Sequence, residues 1–312
     1  MSARLSEEAS AASGSGPAAA PPLARFAPDT GDARAALDHV RAVVAESGTS
    51  FRYGMLILPK PRRDAMYAVY AFCRTIDDVA DEAGARADKR AALQAWRAAI
   101  DRLYDGRASD LVTRALLGPV ARYDLPREEF LAVIDGMESD IDGPATAMPL
   151  DDLRLYCRRV AGAVGLLSIR IFGAREPEAL DLAVALGEAM QFTNILRDLD
   201  EDAARGRLYL PAEDLAAAGV AGRRAETVLA DPNLPAACAS LARRARADFA
   251  EVDRLARLCR RSGIRPALVM MGAYEMTLDR LERRGWDRRD GGRLGKADKL
   301  RAAVVRGLLR RL

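Results

Sequence analysis

From Arg34 onward, apolar residues recur every three or four positions, and strictly alternating runs are nearly absent. That period belongs to helices. Ala, Leu and Arg, which favour helix, dominate the composition of these stretches. Proline and glycine punctuate them at Pro59, Pro61, Gly84, Gly106, Pro126, Gly143–Pro144, Gly173, Pro211, Pro232, Pro235, Pro266 and Gly285. The pattern predicts an all-α protein of roughly ten helices, packed as a single bundle-like domain over 34–312. Residues 1–33, rich in Ala, Ser, Gly and Pro, are expected to be disordered. Two segments are apolar on several faces and so belong in the core: MYAVYAFCRTIDDVADE over 66–82 and ALGEAMQFTNILRDLDEDAARG over 185–206.

Both of these core segments carry acidic residues four positions apart. A four-residue step on a helix rises about 6 Å and returns to the same face. Asp77 and Asp81 therefore form one carboxylate claw. Asn194, Asp198 and Asp202 form a second on a continuous helix. A solvated acidic patch at a helix end is the ordinary reading of either motif alone. Two such lines on apolar helices are costly to bury unless paired or metal-bound, which favours a site for Mg²⁺, with Mn²⁺ as a substitute ion. Mg²⁺ takes hard oxygen ligands and shares them with substrate phosphates. Arg74, one turn before Asp78, is placed to grip phosphate oxygens or to pair with Asp77 or Asp78. Arg197, Arg205 and Arg207 surround the second claw, with one or two expected to face a ligand. Gln191 shares the Asn194 face. The chemistry that suits these groups is ionisation of an allylic diphosphate beside an apolar pocket that keeps a carbocation from water. Small residues in RVAGAVGLLSIRIFG, over 159–173, either make room for a prenyl chain or allow close helix packing.

Charge and composition remove other classes. The 48 basic and 45 acidic side chains leave a net charge of only +3, which argues against nucleic acid as a partner. The single histidine, His39, speaks against His-based zinc sites and Ser–His triads. Cys73, Cys157, Cys238 and Cys259 show no metal or disulfide spacing and read as buried free thiols of a cytoplasmic protein. No signal peptide or membrane-spanning run is visible. The tail LRAAVVRGLLRRL, over 300–312, reads as a last helix packed on the bundle or as a basic amphipathic helix on the inner face of the cell membrane.

YAVYAFCRTIDDVADE, YCRRVAGAVG and QFTNILRDLDEDAARGRLYLP together resemble the squalene/phytoene synthase family over roughly 47–286. The resemblance implies an isoprenoid synthase-type bundle enclosing a central cavity. It implies a prenyltransferase that joins two prenyl diphosphates head to head (1′-1) into a cyclopropyl diphosphate. By position, Asp77, Asp81, Asn194, Asp198 and Asp202 become metal ligands. Arg74 becomes the diphosphate-gripping residue. Ser50 lies in the loop lining the diphosphate, although Thr49 stands where some members carry a basic residue. Tyr156, Gln191 and Tyr209 line the reaction cavity, where the tyrosines bond a diphosphate, steer a cation with the ring, or simply pack with satisfied hydroxyls. VIDGMESDID and IRPALVMMGAYEMTLDRLERRGW are most similar to the hopanoid-pathway branch. That branch implies two farnesyl diphosphates as substrates, presqualene diphosphate as product, no NADPH, and later steps left to partner enzymes. The alternatives are phytoene synthesis from geranylgeranyl diphosphate and full squalene synthesis.

Overall fold

Most of the punctuating prolines and glycines fall between helices or in their first turns, but Pro266 lies inside the helix Arg261–Arg283 instead of ending one. The computed structural model describes residues 30–47, 51–143 and 146–286. Ser50, the tail over 300–312 and the N-terminal stretch over 1–29 lie outside these. Fourteen α-helices occur among the described residues. They are α1 (Thr30–Glu46), α2 (Phe51–Leu56), α3 (Lys60–Asp81), α4 (Arg86–Tyr104), α5 (Leu111–Tyr123), α6 (Arg127–Asp142) and α7 (Leu150–Cys157), followed by α8 (Ala163–Phe172), α9 (Pro177–Arg197), α10 (Leu199–Ala204), α11 (Ala212–Ala217), α12 (Ala225–Leu229), α13 (Leu234–Ala256) and α14 (Arg261–Arg283). The count exceeds the expected ten because the connections fold into short helices and because the second acidic segment is not one helix. α1 also begins four residues before Arg34.

Local chemistry sets these boundaries. Pro61 and Pro177 occupy the first turns of α3 and α9, where their missing N–H is no loss. Asp110 caps α5 by accepting from the backbone N–H groups of Val112 and Thr113, at 2.9 Å each. Gly173 ends α8 at φ +94°, a left-handed conformation natural to glycine.

α9 is the central helix. It packs against α13, α8 and α14, and its buried residues lie on several faces, as expected of a helix apolar all round. On the α3–α6 side, Phe72 meets Phe130 and Trp96 edge to face, with centroids 5.1 and 5.9 Å apart. Between α7 and α8 the chain makes a π-helical turn over Arg158–Gly162. Such turns shift the side-chain register, and Val160 and Ala161 here line a cavity between α3, α8, α9 and α14. None of the described helices is long and apolar enough to cross a membrane.

Small residues hold these helices close. A Cβ on Gly165 would lie 2.6 Å from the Ala183 carbonyl oxygen, and one on Gly187 would lie 2.8 Å from the Ala161 carbonyl carbon. Both glycines also line the cavity, so at Gly165, within the 159–173 stretch, close helix packing and a cavity wall coincide. Cys157 and Cys238 are buried, Cys73 and Cys259 are half-buried, and all four are free thiols. His39 is exposed on α1.

Candidate active site

The C-terminal end of α3, the α9–α10 junction, α6 and the segment after α10 surround a polar basin. Nine of the ten predicted site residues line it: Arg74, Asp77, Asp81, Tyr156, Gln191, Asn194, Asp198, Asp202 and Tyr209. Ser50 is outside the described residues. The second motif departs from expectation in one respect. α9 ends at Arg197, and Asp198 sits at φ −104°, ψ 17° before α10 begins. The four-residue rhythm nevertheless survives the break. The Asp198 N–H donates to the Asn194 carbonyl, and the Asp202 N–H to the Asp198 carbonyl, at 2.8 Å each. The two carboxylates therefore remain neighbours on one side, as a continuous helix would have placed them.

Arginines balance the acids. Arg74 reaches Asp77 at 3.3 Å and Asp78 at 2.7 Å. Arg197 donates from Nε to Asp198 at 2.8 Å. Arg207 crosses the basin, donating from Nη1 to Asp81 Oδ1 at 2.7 Å and from Nη2 to the Asp140 carbonyl at 3.3 Å. Of the three arginines around the second motif, Arg207 makes the short tie to the first motif, with Arg205 3.9 Å from the other Asp81 oxygen.

Asp140 and Tyr274 were missed by sequence reasoning. Asp140 is buried at the end of α6. It accepts from the Tyr209 hydroxyl at 2.7 Å and from the Tyr156 hydroxyl at 2.9 Å. Both phenols are therefore satisfied, and the rings are the part left for a ligand. Burial raises the Asp140 carboxyl above the usual carboxylate range, and it raises both phenols too. Tyr274 is a buried phenol on α14 beside Arg197 and Asn194. Both residues stood in blocks that the sequence reading had singled out, Asp140 in VIDGMESDID and Tyr274 in IRPALVMMGAYEMTLDRLERRGW, but nothing in either block marked the individual residue.

The residues fit a divalent cation. Asn194 Nδ2 donates to Gln191 Oε1 at 3.2 Å, while Asn194 Oδ1 is buried without a hydrogen-bond partner at the basin, and a cation would satisfy it. Burial, then the neighbouring Asp81, pushes the Asp77 carboxyl up to about 6. Burial, then Asp198, pushes Asp202 up to about 7. Such crowding of negative charge is what a cation relieves. No three acidic, Cys or His side chains form a ready-made cage among the described residues. That suits an ion that takes one or two carboxylates and completes its shell with phosphate oxygens.

The basin continues into an apolar cavity lined by Phe51, Met66, Val69, Leu186, Met190 and Met270. Tyr70, Cys73, Val160, Gln191 and Asn194 border both spaces. A charged, arginine-studded head region therefore opens onto an apolar slot between helices.

The sequence profile described as squalene/phytoene synthase matches residues 44–300. A presqualene diphosphate synthase of Sinorhizobium fredii is 45% identical over 77% of this chain and 85% of its own length. A second, from Rhodopseudomonas palustris, is 44% identical over 81% of this chain and 91% of its own. Among solved structures, a dehydrosqualene synthase bound to a ligand superposes with a TM-score of 0.78 at 28% identity, covering 88% of this chain and 96% of that one. With this architecture, these motifs and these relatives, the chain belongs to the squalene/phytoene synthase family.

Proposed function

We propose that the protein joins two farnesyl diphosphates head to head, releasing one diphosphate and giving presqualene diphosphate. One observation carries this reading: the acidic, arginine-lined basin opens directly into the apolar cavity. A prenyl diphosphate has that same division into a charged head and an apolar chain. The presqualene diphosphate synthases at 44–45% identity support the C15 substrate and this product.

Asp77, Asp81, Asn194, Asp198 and Asp202 would hold the divalent ion, which we propose to be Mg²⁺. When bound, such ions act as Lewis acids on the departing diphosphate and orient it. Arg74, Arg197 and Arg207 border the same space and offer donors to phosphate oxygens. The allylic C–O bond breaks and its electron pair leaves with the diphosphate. The alkene of the second chain attacks the allylic cation. Loss of one proton closes the cyclopropane, and the second diphosphate stays on the product. The helices around the cavity exclude water, and the stacked rings of Tyr156 and Tyr209 present π faces that stabilise positive charge. Removal of the second diphosphate is left to partner enzymes.

The test is a product assay with Mg²⁺ and without NADPH, on farnesyl and geranylgeranyl diphosphate separately. Presqualene diphosphate from the C15 substrate is the expected result. Phytoene from the C20 substrate, with the C15 substrate inert, overturns it.

A further inference from the structure

The end of the molecule opposite the basin is basic and carries exposed apolar side chains. Arg62 and Asp77 lie on the same helix, fifteen residues apart, or about 22 Å along its axis. At the Arg62 end, a cleft is lined by Arg62, Arg122, Arg170 and Arg175 together with Pro59 and Pro61. Arg62 donates to the Phe172 carbonyl at 2.8 Å, and Phe172 itself lines the apolar cavity. One carboxylate answers the four guanidinium groups: Asp124 lies 2.9 Å from Arg170 and 3.7 Å from Arg175.

Apolar residues stand beside this charge. Leu56, the last residue of α2, and Ile57, in the turn after it, are 46% and 41% exposed, and Leu258, in the α13–α14 turn, is 58% exposed. They are three of the five exposed large hydrophobic side chains among the described residues. Arg257 and Arg260 flank Leu258 and are exposed. That turn belongs to the same end, because a Cβ on Gly263 would lie 3.0 Å from the Ala174 Cβ, one residue past Gly173 of the cleft.

We propose that this end docks on an anionic bilayer. Leu56, Ile57 and Leu258 enter the boundary between headgroups and acyl chains, and the arginine cleft takes lipid phosphates. Charge complementarity selects the partner: apolar tips ringed by arginine suit a negatively charged lipid surface, whose potential attracts basic segments. In this pose the basin faces away from the lipid and the apolar cavity runs toward it. The surface is independent of which prenyl diphosphate the enzyme uses.

The full chain is sedimented with phosphatidylcholine vesicles, with and without phosphatidylglycerol. Three variants accompany it: R122E/R175E, L56S/I57S and, in the tail, R306E/R310E. Turnover of detergent-dispersed substrate serves as the folding control, since Leu56, Ile57, Arg122 and Arg175 do not line the basin. Expected are binding to the anionic vesicles alone, a fall of about tenfold or more in affinity for the first two variants, and retention in the tail variant. Retention also follows for R122K/R175K. The proposal is overturned if the wild type does not bind anionic vesicles, if R122E/R175E binds as well as wild type, or if only the tail variant loses binding. It is also overturned if inorganic phosphate binds the cleft by calorimetry while vesicles do not, which would assign the cleft to a soluble anion.

Discussion

The rings of Tyr156 and Tyr209 stack with centroids 5.1 Å apart and planes inclined by 20°. Each hydroxyl donates to a different oxygen of Asp140. One buried carboxylate thus fixes the position of two rings contributed by α7 and by the segment after α10.

Asp140→Asn keeps the shape but replaces one acceptor oxygen with a donor, so only one phenol retains its bond in the original sense. Turnover is expected to fall about 10- to 100-fold through misplacement of the rings. Stability should change little, since the lost charge-assisted bond is offset by no longer burying a carboxylate. Product formation and thermal unfolding of the variant check this. A wild-type rate would show that the tyrosine pair needs no anchor.

Removing any one of Asp77, Asp81, Asp198 or Asp202 as Ala should lower turnover by about 100-fold or more, by loss of a metal ligand. Without metal, the Asp77 and Asp202 variants are expected to be as stable as the wild type, because burial and a neighbouring carboxylate already strain those two groups, whereas the Asp81 and Asp198 variants lose stability by stranding Arg207 and Arg197. Rates and melting temperatures with and without chelator decide the matter, and near-wild-type turnover in any two would refute the assignment.

Gly187→Ala should cost roughly 1–3 kcal/mol. Its Cβ would meet the Ala161 and Gly162 backbone within 2.9 Å, and backbone cannot step aside as a side chain does. Urea unfolding reads this directly. A loss of only a few tenths would mean that α9 shifts to accommodate the methyl.

Away from the basin, Asp248 on α13 is pushed up to about 7, by burial first and by Glu188 second, against weaker opposition from Arg154 and Arg244. The folded state then holds a proton that the unfolded chain has released above about pH 4. The stability linked to this group is fully present below about pH 4 and is lost as pH rises through about 7. Asp248→Asn should therefore flatten the fall in melting temperature between these values. Parallel curves for variant and wild type would contradict it.

The sequence carried the helical class and the two acidic motifs because both depend on short-range periodicity, which spacing alone reports. Asn194, Asp198 and Asp202 kept their mutual arrangement even though the helix breaks at Asp198, since the backbone bonds that matter span only four residues. What spacing could not report was pairing across the fold. Arg207 meets Asp81 from 126 positions away, and Asp140 meets Tyr209 from 69. These contacts depend on where α6 and the post-α10 segment end up in space. Ser50 and the tail over 300–312 fall outside the described residues.

The Arg207–Asp81 bridge has a kinetic meaning for the proposed reaction. At rest the acidic wall already has a resident countercharge, so loading the basin is an exchange of partners. A divalent ion arriving alone must compete with a guanidinium for Asp81 and leaves that guanidinium stranded. An ion arriving with a diphosphate supplies the displaced arginine with a new anion in the same move. If Asp81 holds the ion of the proposed reaction, the bridge favours head group and metal together over either one alone.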